Sequence, residues 1–362
     1  MSERIHNFGA GPGVLPESVL RQAQQDIWDI GGSGIGIMEH SHRGKLFDRV
    51  FAEAEALCRE VGGVPTSHKV LFLQGGASLQ FSMAPMNLLP AGRTADYIVT
   101  GVWAQKAVKE AALLGQTHVA FDGEGEQFRR IPTEADIHYA ADPAYVHFTT
   151  NNTIYGTQFQ TEPTVPAGVP LLADTSSDMY SRPIDVARYG LIYAGAQKNL
   201  GPSGVVLVIL REDLIERAPK TLPTMLQYRT HAKENSLYNT PNTFGIYVMG
   251  QVFRWIKETG GLAAMARRNE EKAAAIYQLI DGSGFYRGTC LPGSRSLMNV
   301  CFRAPSEELE AKFCAEATKA GLEGLKGHRS AGGMRASIYN ACTRAAVDAL
   351  VAFMKEFERT NG

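Results

Sequence analysis

Cysteine is scarce in this chain: Cys58, Cys290, Cys301, Cys314 and Cys342 are five in 362 residues, an odd number with no CxxC pair. Neither a disulfide framework nor a thiolate zinc site follows from them, and buried or idle thiols in a reducing compartment are expected. A surplus of charge is missing too. Lys and Arg number 36 against 37 Asp and Glu, a formal net charge of −1, so the basic stripe of a nucleic-acid binder is not expected. No run is apolar for long enough to span a bilayer, and the opening Met1-Ser-Glu-Arg-Ile-His has no signal-peptide core. The expectation is a cytoplasmic protein with neither membrane nor nucleic-acid partners. Internal repeats and low-complexity tracts are also absent.

What is present is alternation. Hydrophobic residues make up 44% of the chain, gathered in short runs at 69–73, 97–100, 118–121, 145–149, 171–174, 191–194 and 205–210. Helical patterns at 78–89 and 103–114 fall between the early runs, which predicts a mostly parallel sheet covered on both faces. The run at 205–210 follows its predecessor too closely for a helical crossover, so it is expected to be antiparallel. A long helix over 244–258 ends at Gly260-Gly261, where a glycine cap fits, and a charged helix covers 262–279. The tail then reads strand, helix (306–320), strand (334–337), helix (343–358). At this length two domains are expected: a large α/β domain and a smaller α+β domain.

The chemistry sits where apolar runs end. In open α/β sheets ligands bind outside the carboxyl ends of the strands. One such run leads into Ala194-Gly-Ala-Gln-Lys-Asn-Leu-Gly-Pro-Ser-Gly204, which places Lys198 among small residues. A lysine that bonds a cofactor needs a lowered pKa and close access; taken alone, Lys198 also reads as a solvated loop residue. Asp174 ends another run. A carboxylate there is a helix cap, a strand-end group, or a counter-ion that keeps a pyridine nitrogen protonated. Phe72-Leu-Gln-Gly-Gly-Ala-Ser-Leu79 runs from strand through glycines into helix, a place for phosphate on backbone N–H groups, although it is neither GxGxxG nor a P-loop. Trp103 stacks on a flat ring or packs in the core, and the 149–154 segment offers hydroxyls, Thr153 among them. Taken together these strand ends describe a site for a flat, phosphorylated, electron-poor aromatic cofactor.

Two His-Arg pairs, in Glu39-His-Ser-His-Arg-Gly44 and Lys326-Gly-His-Arg-Ser330, suit a phosphate dianion or are exposed polar loops. Beyond the adjoining Glu39, His40 and His42 have no acidic partner nearby, so a metal site is not expected. Arg335, in Gly333-Met-Arg-Ala-Ser-Ile-Tyr339, suits a carboxylate or a structural salt bridge.

These segments, with Asn7-Phe-Gly-Ala-Gly-Pro12 and Tyr238-Asn-Thr-Pro-Asn-Thr243, occur in an order that resembles the phosphoserine aminotransferases over essentially the whole chain. The resemblance implies a fold-type I pyridoxal-phosphate enzyme with a mostly parallel seven-stranded sheet. It implies a large cofactor-binding domain over 15–260 and a small α+β domain from 1–14 and 261–362. Lys198 would form the imine to pyridoxal 5'-phosphate and shuttle the proton, Asp174 would pair with the ring nitrogen, and Trp103 would stack on the ring. Thr153 would bond near the phenolic oxygen. Ala77, Ser78 and Gln197 would hold the phosphate, joined by Asn239 and Thr240 from a second subunit of a homodimer. His42 and Arg43 of that subunit, with His328 and Arg329, would clamp the substrate phosphate, and Arg335 its carboxylate. Some relatives carry Arg where this chain has Ser78, so one phosphate contact is missing. The implied reaction interconverts phosphoserine plus 2-oxoglutarate with 3-phosphohydroxypyruvate plus glutamate. 4-Phosphohydroxythreonine is a further substrate to consider. Rival readings are an alanine–glyoxylate aminotransferase, a cysteine desulfurase (for which no cysteine has a convincing context) and a non-catalytic phosphate-ligand binder.

Overall fold

The computed structural model describes residues 4–362, so residues 1–3 of the expected small domain lie outside it. Seven strands form one sheet: β1 (His68–Leu73), β2 (Thr94–Val99), β3 (Gln116–Asp122), β4 (Pro143–Thr149), β5 (Leu171–Asp174), β6 (Tyr189–Gly195) and β7 (Val206–Arg211). Their order is β1-β7-β6-β5-β4-β2-β3. Only β7 runs against its neighbours, β1 and β6, as the short connection before it requires. The other pairings are parallel. Every residue of β4, β5 and β6 is buried, which is why these strands read as continuous rather than alternating apolar runs.

Alternate side chains of each strand feed two cores. Leu207 and Ile209 of β7 join Ile192 and Ala194 of β6 on one face, packed with helices α1 (Glu17–Trp28), α2 (Lys45–Gly62) and α5 (Thr243–Glu258). Val206, Val208 and Leu210 join Leu191 and Tyr193 on the other, under α3 (Gly76–Leu88) and α4 (Val102–Ala112). Burying one such Leu or Ile contributes about 1.5–3 kcal/mol, and truncating Ile209 to Ala would cost about 2–5 kcal/mol. The sequence reading gives no helix over 17–62, where the structure has α1 and α2; Phe47, Phe51, Ala54 and Cys58 are buried along α2 at helical spacing. Elsewhere element ends move by up to three residues.

A third core gathers Phe8 with residues of α6 (Gly261–Gly282), α7 (Glu307–Lys319) and α8 (Arg344–Asn361) around a three-stranded antiparallel sheet. That sheet comprises β8 (Arg287–Gly288), β9 (Asn299–Arg303) and β10 (Met334–Ser337). Its buried members all lie before residue 15 or after residue 261. Side-chain caps start α5, α7 and α8: Asn242 accepts from Gly245 N–H, Ser306 from Leu309 N–H and Thr343 from Ala346 N–H. Among the described residues no helix is long and apolar enough to cross a membrane.

Candidate active site

Because six strands run the same way, the ends of β1, β2, β4, β5 and β6 open on one edge of the sheet. There a cavity of about 370 Å³ is lined by Ala77, Ser78, Trp103, Thr153, Asp174, Gln197, Lys198, His328 and Arg335. Ala10, Gly11, Gly76, Phe81, Ile154 and Ser176 complete it.

Lys198 stands in the turn after β6. Its Nζ donates to Thr153 Oγ1 at 2.7 Å and lies 5.6 Å from the centre of the Trp103 ring. Burial pulls its pKa down to about 8; the Asp174 charge opposes that pull and the Arg335 charge adds to it. Near neutral pH a usable fraction of the amine is therefore unprotonated. Asp174 is 4% exposed and its Oδ1 accepts the Ser176 N–H at 2.9 Å. Burial raises its pKa, while the Ser176 hydrogen bond and the Lys198 charge pull it back. Desolvation thus makes this carboxylate ready for a cationic partner. Ser176 is doubly engaged, since its Oγ also accepts the Gly195 N–H at 3.0 Å.

Helix α3 starts at this cavity without a side-chain cap, so its first N–H groups and its dipole are available to an anion. Gly75 makes the entry turn in the left-handed region, φ 87°, where an added Cβ would come 2.5 Å from Leu79. Trp103, in the first turn of α4, has a buried Nε1 without a partner. Arg335, on β10, reaches across from the small sheet: its Nη1 donates to Thr153 O at 3.1 Å, and its Nε is buried and unpartnered. Among the described residues Arg335 has no ion pair, so the salt-bridge alternative does not describe it. His328 Nδ1 pairs with Ser330 Oγ at 2.7 Å. Burial, followed by the charges of Arg335, Arg329 and Lys106, lowers its pKa.

Five expected residues do not line this cavity within one chain. His42 and Arg43 lie in the turn before α2, with Arg43 exposed and the buried His42 Nε2 unpartnered. Thr240 is exposed, its carbonyl accepting from Gln74 Nε2; Asn239 lies beside it, and Arg329 is also exposed. Sequence reasoning missed Ser176 and Lys106, whose Nζ lies 4.6 Å from the Trp103 ring centre. Ser176 had a signal, two residues after a strand-end Asp, where an Asx turn forms. None of the five cysteines lines the cavity.

The donor set fits a phosphorylated aromatic aldehyde: an uncapped helix start, a buried carboxylate, an indole, and an amine of lowered pKa. Comparison with known proteins agrees. The Aminotransferase class-V family model matches residues 5–350. A phosphoserine aminotransferase of Herpetosiphon aurantiacus is 54% identical over 359 residues, 99% of each chain. The chain belongs to the class-V aminotransferases, among the phosphoserine aminotransferases. The phosphoserine aminotransferase structure from Bacillus circulans subsp. alkalophilus superposes over 100% of both chains with a TM-score of 0.98 at 52% identity. A pyridoxal-phosphate-bound one from Trichomonas vaginalis covers 97% of this chain and 100% of its own, with a TM-score of 0.91 at 39% identity. The family is pyridoxal-phosphate-dependent in general.

Proposed function

We propose that this chain catalyses reversible transamination between O-phosphoserine and 2-oxoglutarate, giving 3-phosphohydroxypyruvate and glutamate. The observation that carries the reading is the Lys198 amine, held by Thr153 in the same cavity as Asp174 and the uncapped start of α3. Membership of the phosphoserine aminotransferases favours this reading over an alanine–glyoxylate aminotransferase. The first turn of α3 with Ala77, Ser78 and Gln197 would hold the cofactor phosphate, Trp103 would cover the ring, and Lys198 would hold the cofactor covalently. Pyridoxal phosphate, when bound, supplies an aromatic electron sink for the pair left behind when a substrate loses its Cα proton.

The chain's own residues then do the positioning and proton work. Lys198 Nζ would accept the Cα proton and deliver it to the cofactor carbon that had carried the aldehyde oxygen, a task suited to a pKa near 8. Thr153 orients that amine. The buried Asp174 charge keeps the ring nitrogen protonated, and Arg335 takes the substrate carboxylate in a bidentate grip. His328 and Arg329 face the substrate phosphate. The partner subunit's His42 and Arg43 complete that clamp in a homodimer, and its Asn239 and Thr240 reach the cofactor phosphate. Trp28, at the end of α1, and Met38, in the segment that leads to His42, are 85% and 61% exposed, apolar side chains that a second copy would cover. The proposed division is a large domain over 15–260 and a small one from 1–14 and 261–362, supported by the membership of the third core.

The deciding experiment is a coupled assay with phosphoserine, serine and alanine as amino donors. Phosphoserine should exceed the others in kcat/KM by more than a hundredfold, about 1.4 kcal/mol per tenfold. Equal use of alanine would overturn the substrate assignment. The same assay with 4-phosphohydroxythreonine decides its use.

A further inference from the structure

A second cavity, about 600 Å³, lies beside the first and shares Ile154 and Arg335 with it. Its walls come from the 124–129 segment after β3, from the small sheet, and from the 327–332 loop. Four arginines line it: Arg129, Arg287, Arg303 and Arg335. Arg303 is neutralised by Glu310 and also donates to Ala331 O. The other three face no carboxylate at ion-pair distance among the described residues. Arg129 is oriented by a bond from its Nε to Thr289 O at 3.2 Å, which leaves its two terminal nitrogens free. The carboxylate in the lining, Glu124, is exposed and pairs with none of them.

Guanidinium forks select carboxylate and phosphate groups. Three unneutralised ones around a volume too large for a single ion, with Phe128, Tyr155 and Ile154 as apolar wall, call for several anionic groups on one organic frame. We propose that this cleft binds a small organic polyanion bearing two or three carboxylate or phosphate groups, and that its occupant antagonises substrate binding through Arg335. Arg335 stands in the wall between the cavities, so an anion outside draws on the guanidinium that the substrate carboxylate needs inside. Ser330 gives a second link, because it lines the cleft while its Oγ bonds His328 Nδ1 at 2.7 Å. The antagonism is reciprocal by linkage. Only this coupling rests on the proposed role of Arg335 in transamination; occupancy of the cleft does not.

The test is equilibrium dialysis of the holoenzyme against citrate and, separately, inorganic pyrophosphate at fixed ionic strength, repeated with Arg129→Ala and Arg287→Ala. Saturable binding of either probe is expected, the tighter one naming the anionic group, with the dissociation constant raised about tenfold in each variant. In wild type the probe should raise the phosphoserine KM severalfold to a plateau, while each variant without probe keeps wild-type kcat and KM. Saturation by neither probe, or binding unchanged in both variants, would overturn the site. Inhibition that grows without a plateau would place the probe in the catalytic cavity and overturn the coupling. Absence of transaminase activity would instead sink the functional reading, and the dialysis would still decide the cleft.

Discussion

Two lysines in this fold, Lys198 half-buried and Lys272 fully buried, are pulled by desolvation to a pKa of about 8, yet they stand in opposite kinds of surroundings. Lys198 has one protein partner, Thr153 Oγ1, and otherwise faces a cavity. Lys272, 3% exposed on α6, donates to the carbonyls of Ile338, Tyr339 and Cys342 at 2.9, 2.7 and 3.0 Å. Three acceptors match the three protons of an ammonium, and a neutral amine would leave one carbonyl stripped. The carbonyls therefore oppose the desolvation that drags this lysine down. A lowered pKa does not make a reactive lysine; an unfilled set of partners beside a cavity does.

Substitution separates the two lysines most sharply. Lys198→Ala should lose both the covalent hold and the proton carrier, lowering kcat by about 10⁴-fold or more, with little change in folding. Borohydride fixation and peptide mapping check it; a reduced cofactor on another lysine would void the assignment. Asp174→Asn comes next. Without the buried charge, turnover should fall about 10²–10³-fold while the cofactor still attaches to Lys198, and near-normal turnover would remove Asp174 from the mechanism.

Lys272→Met tests the other side. Three buried carbonyls lose their donor at about 1 kcal/mol or more each, so denaturant midpoints should show a loss of about 3 kcal/mol or more. Turnover of the folded fraction should change far less. A variant as stable as wild type would mean the carbonyls find water or each other.

The two lysines also differ in how plainly the sequence announces them. Lys198 sits in a glycine- and alanine-rich turn after an apolar strand, and the strand ends that surround it are visible as hydrophobic runs. Lys272 sits in Arg267-Arg268-Asn269-Glu270-Glu271-Lys272, which reads as a solvated helix face. Its acceptors are backbone carbonyls 66 to 70 residues away, and backbone groups leave no trace in residue identity. Gly11 and Ile154 lie in segments that stood out in the sequence, yet as small or apolar residues they gave no sign of lining the cavity, to which tertiary structure alone brings them. The sheet was legible because β4 to β6 are buried on both faces, whereas α1 and α2 lay in a segment whose polar His-Arg pair dominated its reading.

A further asymmetry concerns completeness. The Lys272 ammonium finds its three acceptors within one chain, whereas Arg43 and His42 do not line the Lys198 cavity. Arg43→Ala should raise the phosphoserine KM by the loss of a charge-assisted bond, about 1.5–3 kcal/mol. Mixing Arg43→Ala with Lys198→Ala chains should restore activity, because a hybrid dimer then holds one undamaged site. No recovery with hybrids shown to form would put Arg43 beside its own chain's lysine.

The smallest effect separates the lysines by pH. Lys198 has a folded pKa near 8 against 10.5 for an unburied lysine. Between those values the unfolded chain binds more protons, so the stability contributed by this group rises with pH across that window; its burial penalty is fully present below pH 8. Lys272 adds to the same rise only so far as its three carbonyls let the proton go, so stability alone cannot distinguish the two. Covalent capture of pyridoxal phosphate by the apoprotein can, because only the neutral Lys198 amine attacks. The capture rate should rise about fivefold from pH 7 to pH 8 and then level off. Lys272→Met should leave that profile in place, since the carbonyls it abandons do not touch the attacking amine. A rate still climbing tenfold per unit at pH 9.5 would mean that Lys198 titrates as an ordinary surface lysine and that the cavity does not desolvate it.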